Sequence, residues 1–403
     1  MGRGSVFSGE TGFPALTPGA RGGTITPMTP KERMLAAMAR KKPDRVPVMC
    51  QMSIGHMLVQ TRTPPPELWF DRHVYAGVLL DLRARYAFDG ILISLHGHSS
   101  DWGRRVLHWT RGPLEDILDW RDGGRTVFPH DDLPRPVPAG ESRPASIACF
   151  DPDELPERLD YIPVSQGLRF PIDPDHPYDI LDDVLEKSGG RFSVHGEVTS
   201  PLDYFLDLFG FSGGFLALAE EPDRSKEVLG RLTDGVVRIA AEQAARGVDA
   251  IKISSPFAGA GFISPRHYRE FVLPFERRVA AALRGTGAFA YTHTCGAIGD
   301  RLEMIGETGI DGIECLDPPP LGNVELEDAL ERLGGRLFIK GNIDPVHTLL
   351  FGTPEAIAAD ARRRLAAGAA RGGYILSTAC SIAPHTPPAH VEMLSPLADG
   401  FAG

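Results

Sequence analysis

The stretch FAYTHTCG, residues 289–296, is a short run of residues of buried type that ends in groups with metal-binding chemistry. Short apolar runs of this kind are typical of strands buried in parallel sheets. Seven more runs of the same character occur along the chain, at residues 46–49, 90–95, 192–198, 250–256, 312–317, 337–343 and 373–380. The sequence therefore predicts eight strands, of which 289–296 is the fifth.

Segments with helical periodicity separate most of these predicted strands. One spans residues 223–246 and repeats its apolar residues at helical spacing. Two others begin at a capping residue followed by proline, Ser264-Pro265 and Thr353-Pro354, and end near residues 283 and 368. Alternating strands and helices predict an α/β fold, and eight strands favour a (β/α)₈ TIM-type barrel over a doubly wound sheet. No GxGxxG loop follows the first strand, which argues against dinucleotide binding.

The chain is predicted to be one barrel domain with two additions. About 95 residues rich in proline and aspartate separate the second and third strands, and they predict an insertion at the barrel mouth. Residues 1–27 are rich in glycine, proline and threonine, which predicts a flexible tail. The barrel domain is assigned to residues 28–403, and Thr29, Pro30 and Glu32 form a helix-start signal at its beginning.

Composition excludes several classes of function. The chain has 403 residues, 42% hydrophobic and 24% charged, with a net charge of -11. A nucleic-acid-binding protein needs a basic face, so this charge disfavours nucleic acid as a partner. No apolar run approaches the roughly 20 residues that span a bilayer, so no membrane association is expected. Five cysteines without an export signal suggest the reducing cytoplasm.

The sharpest chemical feature is a histidine and two cysteines at predicted strand ends. His293 and Cys295 are two residues apart in one strand, so their side chains face the same way. Cys380 ends the last predicted strand, and in a barrel the carboxyl ends of all strands meet at the mouth. One histidine and two cysteines form a zinc site with an open fourth position, which is the catalytic pattern. The alternative is a structural histidine beside two buried cysteines.

Three other groups are candidates for the same mouth. Glu197 ends the third strand, where it would serve as a displaceable fourth zinc ligand or as a carboxylate bonded to loop amides. His96 and His98 end the second strand and share a face; substrate contact, loop structure and a second metal all remain open for them. Cys315 is interpreted as an ordinary buried cysteine.

Several motifs resemble the uroporphyrinogen decarboxylase-like superfamily from Thr29 onward. The matching stretches are TPKER at 29–33, YREFVLP at 268–274, HTCG at 293–296, GNIDP at 341–345 and CSIAPHTP at 380–387. The His-x-Cys pair with a late cysteine is the specific element. It resembles the zinc motif of methylcobamide:thiol methyltransferases of the coenzyme M type, and that of epoxyalkane:coenzyme M transferases.

The resemblance implies a zinc-dependent methyltransferase. Zn²⁺ would be held by His293, Cys295 and Cys380, a corrinoid protein would carry the methyl group as methylcobalamin, and a small-molecule thiol or pterin would be the other substrate. Coenzyme M, homocysteine and tetrahydrofolate all remain open. Relatives of this fold are often monomers or dimers, so a monomer or homodimer is expected.

Three alternatives accompany this interpretation. The first is an epoxyalkane:thiol transferase on the same zinc site. The second is a decarboxylase-like lyase, which is disfavoured because the first strand has no arginine after Arg45 to bind a polycarboxylate. The third is a non-catalytic barrel that binds a corrinoid or tetrapyrrole.

Overall fold

Thirteen strands form three sheets in the part of the chain that the structure describes. The computed structural model describes residues 1, 27–137, 144–164 and 167–401. The strands are β1 (Gly90–Leu92), β2 (Val106–Arg111), β3 (Glu115–Trp120), β4 (Arg125–Pro129), β5 (Arg135–Val137), β6 (Tyr161–Val164), β7 (Leu168–Pro171), β8 (Ser193–Thr199), β9 (Ala250–Ser254), β10 (Phe289–Thr294), β11 (Gly312–Cys315), β12 (Phe338–Ile343) and β13 (Tyr374–Thr378).

The main sheet is parallel and curls into the wall of a barrel. Its order is β1-β8-β9-β10-β11-β12-β13, so every strand lies beside the next one predicted from the sequence. All of these pairs are parallel. Parallel strands place their carboxyl ends at one edge, which is the mouth of a (β/α)₈ fold. The predicted fold class is confirmed.

The first predicted strand fills the gap between β13 and β1. Val48 forms a parallel bridge with Leu376, and the amide of Met49 donates to the carbonyl of Leu376 at 3.0 Å. On the other side, the amide of Asp89 donates to the carbonyl of Val48 at 2.8 Å. The segment is too short to form a ladder, but its hydrogen bonds on both sides close the barrel.

Sixteen α-helices are found in the described ranges. They are α1 (Pro30–Met38), α2 (Ile54–Thr61), α3 (Pro65–Phe70), α4 (Arg72–Tyr86), α5 (Trp102–Arg105), α6 (Asp179–Ser188), α7 (Pro201–Phe209), α8 (Phe211–Glu220), α9 (Pro222–Ala244), α10 (Pro265–Phe271), α11 (Leu273–Leu283), α12 (Leu302–Glu307), α13 (Leu326–Leu333), α14 (Pro354–Arg371), α15 (Pro388–Glu392) and α16 (Leu394–Asp399).

The predicted helix starts are confirmed, and one predicted helix is broken. The Thr29 side chain accepts from the Glu32 amide while Glu32 bonds back to the Thr29 amide, which is a complete capping box. The helix predicted from residue 265 to about 283 is instead two helices, α10 and α11, separated at Val272. Pro274 explains the break, because proline has no amide hydrogen and crowds the turn that precedes it.

The predicted insertion carries sheets of its own. Strands β2 to β5 form a four-stranded antiparallel sheet, and β6 and β7 form an antiparallel hairpin, all between β1 and β8 of the barrel. A small apolar cluster that includes Trp69, Leu118, Phe128 and Phe170 joins this sheet to α3 and to the hairpin. The insertion is therefore packed onto the barrel rather than being loop alone.

Two further predictions concern the ends and the surface. Residues 2–26, which make up nearly all of the predicted tail, lie outside the described residues, and the assignment of residues 28–403 to one domain stays a prediction. Among the helices of the described ranges, none has by itself the length and apolarity to cross a membrane. The pair α7 and α8 reaches that apolar length only together, with a bend of 108° between the two.

A buried carboxylate at the bottom of the barrel fixes the closing segment. The Asp89 carboxylate accepts hydrogen bonds from the Val48 amide at 2.8 Å, from the Arg33 guanidinium at 2.6 Å and from the Arg45 guanidinium at 2.8 Å. The Asp89 side chain is only 1% exposed. One carboxylate therefore links α1, the residue 46–49 segment and the start of β1.

We expect Asp89→Asn to lower the free energy of unfolding by about 3 kcal/mol, because it removes the buried carboxylate that two largely buried guanidinium groups share and leaves each with one other carboxylate, Asp44 for Arg33 and Asp399 for Arg45. Urea denaturation followed by circular dichroism measures this loss. Asp81→Asn, an exposed position on α4, is the matched control and should leave the midpoint unchanged. Equal midpoints for both variants would contradict the role assigned to Asp89.

Candidate active site

The three predicted zinc ligands lie together at the barrel mouth. His293 is near the end of β10, Cys295 follows that strand directly, and Cys380 lies two residues beyond β13. His293 Nε2 and Cys295 Sγ are 3.2 Å apart. The Cys380 thiol lies close enough to His293 and Cys295 to interact with both. The structure thus brings the three side chains into one cluster, and their binding of a metal stays a prediction.

A third cysteine joins this cluster. The ligand atoms of His293, Cys295 and Cys315 all lie within 4.8 Å of one another, which is close enough for a single ion. Cys380 is not part of this set of mutually close donors, although it lies beside two of the three, His293 and Cys295. We give more weight to Cys380 as a ligand, because Cys315 Sγ already has a partner 3.2 Å away, the carboxylate Oδ2 of Asp317.

Cys315 was predicted to be an ordinary buried cysteine, and a regular strand would not bring it to the cluster together with Glu314. Neighbouring side chains of a strand point to opposite faces, so Glu314 and Cys315 should not reach the same group. Cys315 has a φ of 84°, in the left-handed region, which breaks this alternation at the end of β11. The available signal was position: Cys315 lies within two residues of the end of a predicted strand, as Cys295 and Cys380 do.

Packing keeps the three thiols protonated unless a cation joins them. Burial raises the pKa of Cys315 to about 12. Hydrogen bonding to Cys315 raises the pKa of Cys295, and hydrogen bonding to Cys295 followed by burial raises that of Cys380. Thiolates are the form that binds zinc, and a bound cation deprotonates them. The donor set therefore fits Zn²⁺, whose usual protein ligands are cysteine and histidine.

Two acidic residues, Glu314 on β11 and Asp317 just after that strand, contact groups of the cluster. Glu314 Oε2 lies 3.4 Å from His293 Nδ1, and its other oxygen contacts the buried ammonium of Lys340. Burial raises the pKa of Glu314, but Lys340 outweighs this and holds it well below its usual range. Asp317 Oδ2 accepts from the Gly296 amide at 2.7 Å. A carboxylate on the second nitrogen of a metal-binding histidine is a common way to orient the ring.

Glu197 forms an ion pair rather than bonding to loop amides. Its Oε1 lies 2.9 Å from the Nζ of Lys252, the residue opposite it on β9. Lys252 also donates to Gln51 Oε1 at 2.6 Å. The second oxygen of Glu197 is buried and has no hydrogen-bond partner among the described residues. Glu197 is not one of the three donors within 4.8 Å of one another, and its role as a zinc ligand stays a prediction.

The two candidate histidines of the second strand have different surroundings. His96 lines the mouth cavity, and its Nδ1 lies 2.5 Å from the carbonyl oxygen of Pro177. His98 packs against the rings of Trp69 and Phe70 of α3, in the apolar cluster that joins α3 to the insertion. Burial lowers the pKa of each to about 4, so both are neutral at pH 7. A catalytic role for either one stays a prediction.

Two buried acids near the cavity were not predicted from the sequence. Asp203 lies in the first turn of α7, where it accepts a hydrogen bond from the hydroxyl of Ser200. Glu276, in α11, lies 3.5 Å from the hydroxyl of Thr292. Burial raises the pKa of Asp203 to about 8 and that of Glu276 to about 7. At neutral pH, Asp203 therefore holds its proton at the cavity wall.

A cavity of about 450 Å³ opens next to the cluster at the mouth of the barrel. Cys380 and Glu197 are part of its lining, together with Asp203 and His96. This volume falls in the range of small-molecule sites in proteins. A molecule in the cavity would therefore reach the cluster from the Cys380 side.

The family model for uroporphyrinogen decarboxylase (URO-D) matches residues 167–400, which is more than half of the chain. The chain belongs to the uroporphyrinogen decarboxylase family. The matched range contains all four residues of the His/Cys cluster and Glu197, so the resemblance inferred from the motifs is confirmed.

Uroporphyrinogen decarboxylases are among the curated proteins similar to this family member. That of Xanthomonas euvesicatoria is 30% identical over 219 residues, which cover 48% of this chain and 60% of the relative. That of Xylella fastidiosa is 30% identical over 225 residues, covering 49% and 61%. The chain thus matches about three fifths of the length of these relatives.

A solved methyltransferase shares the fold over almost the whole chain. The methyltransferase from Methanosarcina mazei superimposes with a TM-score of 0.69 and 20% identity, covering 93% of this chain and 99% of that one. At this identity the match shows a common fold.

Asp203 gives the site a measurable dependence of stability on pH. The unfolded carboxyl ionises near pH 3.8, whereas the folded one keeps its proton up to about pH 8. Its contribution to stability is therefore complete at low pH, declines as the pH rises towards 8, and is constant above it. Asp203→Asn removes this decline, because an amide does not ionise.

We expect the Tm of Asp203→Asn minus that of the wild type to increase between pH 5 and pH 8 and to level off above pH 8. Differential scanning fluorimetry across this range measures it. The exposed Asp175→Asn serves as the control and should give a difference that does not vary with pH. A difference for Asp203→Asn that is flat over the same range would contradict the raised pKa.

Proposed function

We propose that this family member is a zinc-dependent methyltransferase that moves a methyl group between a corrinoid protein and a thiol or related acceptor. The observation that carries the proposal is the cluster of His293, Cys295 and Cys380 at one end of a substrate-sized cavity. A decarboxylation at a pyrrole carboxylate would make no use of this group of thiols. Sulfur chemistry at a metal would use it directly.

The chain's own residues would prepare the site for this chemistry. Zinc held by the cluster would bind a substrate thiol as its thiolate and keep it nucleophilic at neutral pH. Glu314 orients the His293 ring through Nδ1, and Asp317 holds the turn after Cys295 by accepting from Gly296. The open side of the cluster faces the cavity at Cys380, so a substrate would enter there.

The methyl group would come from, or go to, the cobalt of a corrinoid such as methylcobalamin on a partner protein. The acceptor or donor on the other side is a thiol or a pterin. The methyltransferase from Methanosarcina mazei supports this proposal through its common fold over 93% of the chain. The proposed enzyme works in the cytoplasm, as a monomer or a homodimer.

The first test is the zinc content of purified protein by plasma emission spectrometry. We expect about one zinc per chain in the wild type and loss of most of it in Cys295→Ala and Cys380→Ala. Cys315→Ala should keep its zinc, because Cys315 bonds to Asp317 and three other ligands remain. Cys149→Ala, an exposed cysteine, is the matched control.

The outcomes separate two ligand sets. Loss of zinc in Cys315→Ala with retention in Cys380→Ala would replace Cys380 by Cys315 in the ligand set. A wild type that neither contains zinc nor takes it up tightly would overturn the proposed function. With zinc established, methyl transfer from methylcobalamin to small thiols, followed by absorbance, tests the reaction itself.

A second candidate function is decarboxylation of a porphyrinogen. The names of the curated relatives favour it. The cavity opposes it, because its lining contains carboxylates and, among the described residues, no lysine or arginine to receive a polycarboxylate. Release of CO₂ from uroporphyrinogen by the purified protein, compared with the same protein stripped of metal, distinguishes the two functions.

A further inference from the structure

The cavity beside the cluster has mostly apolar walls and an acidic polar lining. Side chains of hydrophobic residues from the barrel and the insertion, such as Met52, Leu92, Leu133, Ile162, Phe170 and Val236, form most of its surface. Its acidic residues are Asp131, Asp132, Glu197 and Asp203, of which Asp203 is protonated at neutral pH because burial raises its pKa to about 8. In the described part of the chain, no lysine or arginine belongs to this lining.

The nearest cations are already neutralised by the protein. Lys252 is buried behind the lining, where Glu197 and Gln51 accept its hydrogen bonds. At the rim, Arg135 pairs with Asp132, and His385 pairs with Asp131. Lys252, Arg135 and the His385 ring already contact protein carboxylates or amides, so an anionic substrate would have to compete with those protein groups.

Glu197, whose side chain we take as the floor of the cavity, has an unused hydrogen-bond acceptor. Glu197 Oε2 is buried and has no partner among the described residues, although the other oxygen of the same carboxylate pairs with Lys252. A buried acceptor without a partner costs free energy that a donor on a ligand recovers. With zinc bound, the two cysteinates and Zn²⁺ together have a formal charge near zero, so the Cys380 end of the cavity offers an anion no net positive charge. The floor therefore favours a hydrogen-bond donor over an anion, which would find no free cation there.

We propose that this cavity binds a neutral or positively charged organic substrate, with an N–H or O–H group directed at Glu197, and that it discriminates against substrates with sulfonate or carboxylate groups. The proposal rests on the proposed transferase function and narrows its substrate class. It places the selectivity in one named carboxylate at the cavity floor and in the absence of a free cation from the described lining.

Three thiols with the same two-carbon chain test the charge preference. The probes are 2-aminoethanethiol, 2-mercaptoethanol and 2-mercaptoethanesulfonate. They differ at one end and share the sulfur that would bind the metal. Binding to zinc-loaded protein is measured by isothermal titration calorimetry. We expect 2-aminoethanethiol to bind about tenfold more tightly than the sulfonate, since opposite and like charges near a partly buried carboxylate differ by this order.

A variant assigns the preference to Glu197. In Glu197→Gln the carboxylate charge is lost, and Lys252 loses its ion-pair partner. The ratio of the affinity for 2-aminoethanethiol to that for 2-mercaptoethanesulfonate should therefore fall by several fold. For each thiol, the affinity for Glu197→Gln is compared with the affinity for the wild type, so the intrinsic affinity of that thiol for zinc cancels. Glu186→Gln makes the same chemical change at an exposed position on α6 and should leave the ratio unchanged.

The two proposals fail in different ways. If none of the three thiols binds the zinc-loaded protein, thiol activation is wrong and the transferase function falls with it. If thiols bind and the sulfonate binds as tightly as the amine or more so, the function stands and the charge preference is overturned. If the wild type shows the preference and Glu197→Gln keeps it in full, the assignment to Glu197 is wrong.

Discussion

Two buried lysine–glutamate pairs on neighbouring strands hold the candidate site in place. Lys340 of β12 pairs with Glu314 of β11, and the same glutamate contacts the ring of His293. Lys252 of β9 pairs with Glu197 of β8 beside the cavity. Ions are costly to bury unless each has a close partner, so these pairs allow charged groups inside the barrel wall. The cluster and the cavity floor are thus positioned through four ions.

Strand content and the location of the site follow directly from the sequence. Eight apolar runs fall where the structure has seven strands and one bridging segment, because burial on both faces leaves a clear apolar signal. His293, Cys295 and Cys380 meet because the carboxyl ends of parallel strands share one edge. The insertion was predicted as an addition without its antiparallel sheet, whose short strands alternate with polar residues and lack that signal.

What the sequence could not provide is the relation between residues on different strands. The pairing of Glu197 with Lys252 depends on the register between β8 and β9, which no local pattern encodes. The approach of Cys315 to Cys295 depends on a positive φ at a residue that is not glycine. Asp203 and Glu276 have raised pKa values because elements distant in sequence bury them, so their chemistry appears only in the folded chain.

The closing segment also constrains when the protein can fold. The hydroxyl of Ser53 donates to the carbonyl of Ile382, which is 329 residues later in the chain, and Val48 bridges to Leu376 nearby. Contacts of such sequence separation form late, because a long loop must first be ordered. During synthesis, the ribosome releases the last strand only after all the other strands of the barrel. The beginning of the barrel must therefore wait, unpaired on one side, until the whole intervening chain has emerged.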